Sequence, residues 1–137
     1  MQDTTTTATM IMHDQDRNVH GKVFGGLLMR HAFELGYIAT RQFSGDSEPA
    51  FSNCDQVSFL QPVQIGAIVK LQATVVFAEG KRVRVRVEAQ DLKTKTGPTN
   101  EFHFTFTLQR EAPNVVPRTY EEGLYFLEGQ RAVRKAT

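Results

Sequence analysis

Cysteine is almost missing from this chain. The single thiol, Cys54, leaves no internal disulfide to form, which fits a reducing compartment. An excess of one charge is missing too. Lys and Arg number 16 against 15 Asp and Glu, a net +1, so bulk electrostatics favour neither nucleic acid nor an anionic membrane. No apolar run is long enough to cross a bilayer. The opening MQDTTTTATM lacks the basic and apolar stretches of a secretory signal, although a removed transit peptide or an upstream domain would leave no such mark. The four histidines, His13, His20, His31 and His103, show no ligand spacing, so no metal set is visible. No internal repeat is present.

What remains is a soluble, globular balance of 40% apolar and 23% charged residues over 137 positions, enough for one compact domain with a real core. Residues 1–7 are polar and Thr-rich and read as loosely ordered or as an edge. Residues 8–13 read as a first strand and 14–22 as a loop. From Gly25 to about Phe43 the apolar period is helical, with Arg30, Glu34 and Arg41 on one stripe. The wide apolar arc predicts a largely buried helix. SGDSEP (44–49) ends it. The period then falls to two. Strands are predicted at 50–60, 67–78, 82–90 and 101–109, and EGK (79–81) marks a hairpin. RVRVRV (82–87) points its arginines outward and its valines inward, while Phe102, Phe104, Phe106 and Leu108 share a core face. Residues 114–137 form a tail with a possible short helix. The architecture is therefore α+β. A sheet of about five antiparallel strands needs a cover, and one apolar helix is available for it to curl around.

Several residues carry chemistry. Gly25 and Gly26 begin the helix, where free N–H groups and the positive dipole end meet. Their missing Cβ atoms permit close approach to a carbonyl oxygen, or simply let the helix enter tightly under the sheet. Glu34 is either a carboxylate able to steer water or the partner of Arg30 on the helix surface. Asn18 either holds a water or a carbonyl, or closes an Asx turn. His20 is either a base near neutral pH or a solvated loop histidine. Asp55 either lines a seam or anchors a turn. Arg82 and Arg84, beside Lys81 and Arg86, either bind phosphate or form a solvated, edge-blunting face. Cys54 has no base evident beside it and reads as a small packed residue.

The stretches MQDT (1–4), QDRN (15–18) and FGGLLMRHAFELG (24–36), with Asp55, Phe59, Pro62, Val63 and Gly66, carry a family likeness. TNEFHFTF (99–106) and PRTYEEGLYFLEGQR (117–131) extend it. The chain resembles the hot-dog-fold acyl-coenzyme A thioesterases, and most of all the C-terminal hot-dog domain of their mitochondrial two-domain type. That resemblance implies a single hot-dog domain over 1–137, either on its own or as one half of a double hot-dog protein. It implies acyl-CoA hydrolysis to a free fatty acid and coenzyme A, with coenzyme A as part of the substrate and no cofactor. It also implies a second hot-dog domain as partner, whether a second copy, a fused upstream domain or another subunit. The implied location is mitochondrial, or otherwise cytoplasmic. The family often places an Asp or Glu seven positions after the second glycine. Here that position is Phe33, and Glu34 follows about 100° further round the helix. A loop asparagine four residues before that glycine, found in related two-domain enzymes, is Lys22. The family logic then assigns the carboxylate to the partner and the glycine dipole and loop groups to this chain. Two alternatives stay open. One is a catalytically degenerate hot-dog subunit that serves assembly. The other is an enoyl-CoA hydratase, because DRNVH (16–20) is similar to the Asp-x-Asn-Pro-x-His loop of such enzymes, one residue short and without the proline.

Overall fold

The computed structural model describes residues 1–11, 25–45, 48–60, 63, 66–93 and 97–135. A 3-10 turn, Gln2–Thr4, leads into β1 (Thr6–Ile11). Helix α1 (Gly25–Ser44) follows, then β2 (Ala50–Phe59), β3 (Ile68–Glu79), β4 (Arg82–Asp91), β5 (Asn100–Thr107) and α2 (Tyr120–Lys135). The strands form one antiparallel sheet in the order β1-β3-β4-β5-β2. This is the hot-dog arrangement, with β1 and β2 as its edges.

Helix α1 forms because its buried positions recur at helical spacing: Leu28, Ala32, Leu35, Gly36, Ala39 and Thr40. Four of those six are no larger than threonine, so the helix lies close on the sheet; the point of Gly36 nearest the strands faces Phe104 and Val87. The sheet answers with Val69, Leu71, Ala73 and Val75 of β3, Val83, Val85, Val87 and Ala89 of β4, and Phe102, Phe104 and Phe106 of β5, all buried. Thr40 and Ser44 donate their hydroxyls back to the carbonyls of Gly36 and Thr40. Gly45, at φ 70°, then closes the helix with its N–H on the Arg41 carbonyl. Between β3 and β4 the expected hairpin is present, with Gly80 at φ 60° beside Lys81.

Of the two readings of residues 1–7 the edge holds: β1 begins at Thr6 on the margin of the sheet, and ahead of it Met1 is buried in the core cluster and Thr4 accepts the Val75 N–H through its hydroxyl. Two expectations need correction. The tail holds a helix of 16 residues, not a short one. Most consequential, the arginine face of β4 is not solvated. A register shift between Val75 and Phe77 turns Phe77 to the same side as Arg84, with which it pairs. Helix α2 packs there, its Phe126 ring edge-on to Phe77 at 5.0 Å and Gly129 against Phe77 and Arg84. The sheet thus has a helix on each face, α1 on the aliphatic side and α2 on the polar one.

Candidate functional site

The first turn of α1 is made by Gly25 and Gly26, the residues singled out for polarising a carbonyl. No acidic residue lies in that turn, so nothing on the helix itself opposes the positive end of its dipole. The next turns decide what the helix presents. Phe33 faces inward, its ring 5.3 Å from Phe51, 5.9 Å from Phe104 and 5.8 Å from Phe106. The edge-on geometry of the first two contacts suits aromatic quadrupoles. Where the family often carries a carboxylate, this chain thus has an apolar anchor, capped by the half-exposed Phe51 of the edge strand β2.

Glu34 lies on the solvent side, 3.4 Å from Arg30 one turn earlier. Both side chains are exposed, so the pair contributes a few tenths of a kcal/mol. Asn18 and His20, with Lys22, lie outside the described residues.

The strand candidates gather on the opposite face of the sheet from α1. Asp55 accepts a 2.7 Å hydrogen bond from Arg84, whose side chain is only 1% exposed beneath α2. Arg82 donates to the Val133 carbonyl of α2 at 3.1 Å. In this arrangement Arg84 ties β4 to β2 and Arg82 ties β4 to α2, and neither guanidinium stands open as a stripe. Cys54 is partly buried, and desolvation pushes its thiol pKa up, which makes it a poor nucleophile.

Beside them lies a network that the sequence reading did not single out. Glu101 accepts from Arg86 at 2.9 Å and meets His103 Nε2 at 2.8 Å. Arg86 also bonds Glu88 at 2.7 Å, and its guanidinium sits 4.4 Å from the Tyr125 ring centre. The His103 contact, then the Arg86 guanidinium, hold the Glu101 carboxyl down at about 2. A signal for this was present. EFHFTFT alternates Glu and His against the phenylalanines, and RVRVRVE alternates Arg and Glu against the valines. Cross-strand pairing of the two strands sets Arg86 opposite His103 and Glu88 opposite Glu101.

A cavity of about 560 Å³ opens between the start of α2 and this polar face, lined by Thr5, Gln72, Thr74, Arg86, Glu122 and Tyr125 among others. It lies on the far side of the sheet from α1. Among the described residues no group of three His, Cys, Asp or Glu side chains is placed to hold a metal ion, and no helix is long and apolar enough to cross a membrane.

Residues 20–97 match the thioesterase superfamily. Over 96% of its length the chain is 40% identical to acyl-coenzyme A thioesterase 9, mitochondrial, of Bos taurus, and it spans 30% of that protein. Over 93% of its length it is 34% identical to acyl-coenzyme A thioesterase 2, chloroplastic, of Humulus lupulus, and it spans 33% of that protein. The chain thus covers about a third of the curated relatives it matches. Among solved structures, an acyl-CoA hydrolase from Staphylococcus aureus, described in complex with butyryl coenzyme A and coenzyme A, superposes with a TM-score of 0.89 at 24% identity. That superposition covers 99% of this chain and 86% of the other.

Proposed function

The chain belongs to the thioesterase superfamily, and from that premise we propose that it hydrolyses acyl-coenzyme A to a free fatty acid and coenzyme A beside a second hot-dog domain. The thioester carbonyl oxygen meets the amide groups of Gly25 and Gly26, which stabilise the negative charge that develops there. A carboxylate takes one proton from the attacking water while the remaining hydroxide bonds to the carbonyl carbon. The C–S bond then breaks, and the sulfur of coenzyme A leaves and receives that proton. Asn18 and His20 are the loop groups assigned to this centre. Asp55, Arg82 and Arg84 act from the far face by holding β2, β4 and α2 in place rather than by touching phosphate. Coenzyme A is substrate, and no resident cofactor is invoked.

One observation carries the division of labour between the two domains. Phe33 is locked among three aromatic rings and Glu34 turns outward to Arg30. Helix α1 therefore offers amides to the thioester but turns no acid inward after them. The carboxylate comes from the paired domain. The relatives named as mitochondrial support that location for this chain. A thiol-release assay on acyl-CoAs of graded length tests the reading, run on the chain alone and with its paired domain. Turnover is expected only with the pair. If the paired assembly is inert on every chain length, the alternative of a degenerate assembly subunit, which Phe33 also favours, replaces this one. Hydration of crotonyl-CoA without thiol release would instead select the hydratase reading.

A further inference from the structure

We propose that Phe51, braced by Phe33, is the wall at which the acyl chain of the substrate ends, so that this site selects acyl groups of medium length. The inference rests on the thioesterase reading above and adds the specificity of that same site. Its ground is an apolar strip on β2 that α1 leaves open. Phe51 pairs with Phe106, Cys54 with Phe104 and Val57 with Phe102, and residues directly opposite in a sheet share a face. The three β2 residues therefore face the α1 side. Asp55, between them, turns the other way to Arg84. Helix α1 lies over β3 and β4, and Phe51 and Val57 stay 49% and 39% exposed. An uncharged, half-open groove thus runs between α1 and the edge strand.

The groove begins near the glycine turn and is closed at its other end. The Gly45 carbonyl, just after α1, accepts a hydrogen bond from Arg110, just past β5, so α1 ends beside the end of β5. Its first turn, with Gly25 and Gly26, points back towards the start of β5, where Val57 sits opposite Phe102. Gly26 and Phe33 are seven residues apart, a rise of about 10 Å. The stretch of β5 from Phe102 to Phe106, opposite Val57 and Phe51, is about 13 Å long. An acyl chain whose carbonyl oxygen rests on the glycine amides, and whose methylenes follow the groove, passes Val57 and Cys54 within that length. It then meets the Phe33 and Phe51 rings, edge-on to each other at 5.3 Å. Phe51 also contacts Phe104 and Phe106, which fix its place. The length suits an extended octanoyl group, and a myristoyl chain overruns it.

Thiol release by the paired assembly, measured as kcat/KM on butyryl-, octanoyl- and myristoyl-CoA, tests the proposal. Wild type is expected to favour octanoyl-CoA over both. Phe51→Ala should raise the myristoyl-to-octanoyl ratio by about tenfold, the effect of burying about two further methylenes. Phe51→Trp, which advances the wall, should instead lower the octanoyl-to-butyryl ratio. A residue that served folding alone would change all three rates together and leave both ratios where they were. An unchanged ratio in either folded variant, or a wild type that prefers myristoyl-CoA, overturns the inference and leaves the thioesterase reading standing. A wild-type assembly inert on all three substrates overturns that reading, and the inference with it. Should Phe51→Ala fail to fold, Phe51→Trp decides alone.

Discussion

Phe33 is the residue on which the account turns. Its ring packs between α1 and the strands against Phe51, Phe104 and Phe106, where it stands in place of a carboxylate. Replacing it with Ala removes contacts to Phe51, Phe104 and Phe106. The expected cost is about 2–3 kcal/mol, below the full range for a completely buried phenylalanine, read from urea unfolding. Glu101 gives a second prediction. Its folded pKa, about 2, lies below its ordinary value of 4.5. The ion pair therefore contributes stability at any pH above about 4.5 and loses it as pH falls toward about 2. Glu101→Gln is expected to cost about 2 kcal/mol at neutral pH. The gap in melting temperature between it and wild type should close below pH 4.5. A gap that stays constant to pH 2 would show that the charge on Glu101 is not what stabilises. Of these residues, the Phe row and the Arg30–Glu34 pairing were legible from spacing alone. The inward turn of Phe33 toward Phe51 was not, because it depends on where an edge strand arrives.

At the scale of elements, helix α1, the strands and the β3–β4 turn followed from period, glycine placement and turn chemistry, and β2, β3, β4 and β5 end within two residues of the expected limits. Helix α2 was the element least legible. Its tail reads as polar, with apolar residues on both faces, and nothing local says that it lies across the arginine side of β4. Basic residues alternating with valine mark a two-sided strand, but they do not say whether the polar side meets water or another element. Arg84 met the latter, through Asp55, a partner on a strand two places away in the sheet. The key to the seat of α2 is Gly129. A Cβ there would stand 2.8 Å from the Phe77 Cβ and 3.0 Å from the Arg84 Cδ, which forces the helix outward. Gly129→Ala is therefore expected to destabilise by about 1–3 kcal/mol, despite the higher helix propensity of Ala. Guanidinium unfolding checks the sign. A stabilised variant would mean that α2 is not seated as described.

At the scale of the whole molecule, one sheet separates two kinds of surface. On the α1 side lie the apolar core and the glycine turn. On the α2 side lie the ion pairs that brace the strands, and beyond them the exposed Tyr120, Leu124 and Leu127. The sequence resemblance brought out the hot-dog arrangement and the glycine turn together. Asn18 and His20 lie outside the described residues.

The claim that matters most is that the amides of Gly25 and Gly26 hold the thioester oxygen while a carboxylate from the paired domain directs the water. The most direct test is the rate of thiol release from acyl-CoA by the paired assembly carrying Gly26→Val in this chain, with Gly26→Ala as the milder variant and circular dichroism to verify folding. A folded assembly is expected, with turnover at this site lower by about 100-fold or more, the scale of losing an oxyanion donor. Wild-type turnover from a folded Gly26→Val assembly would contradict it.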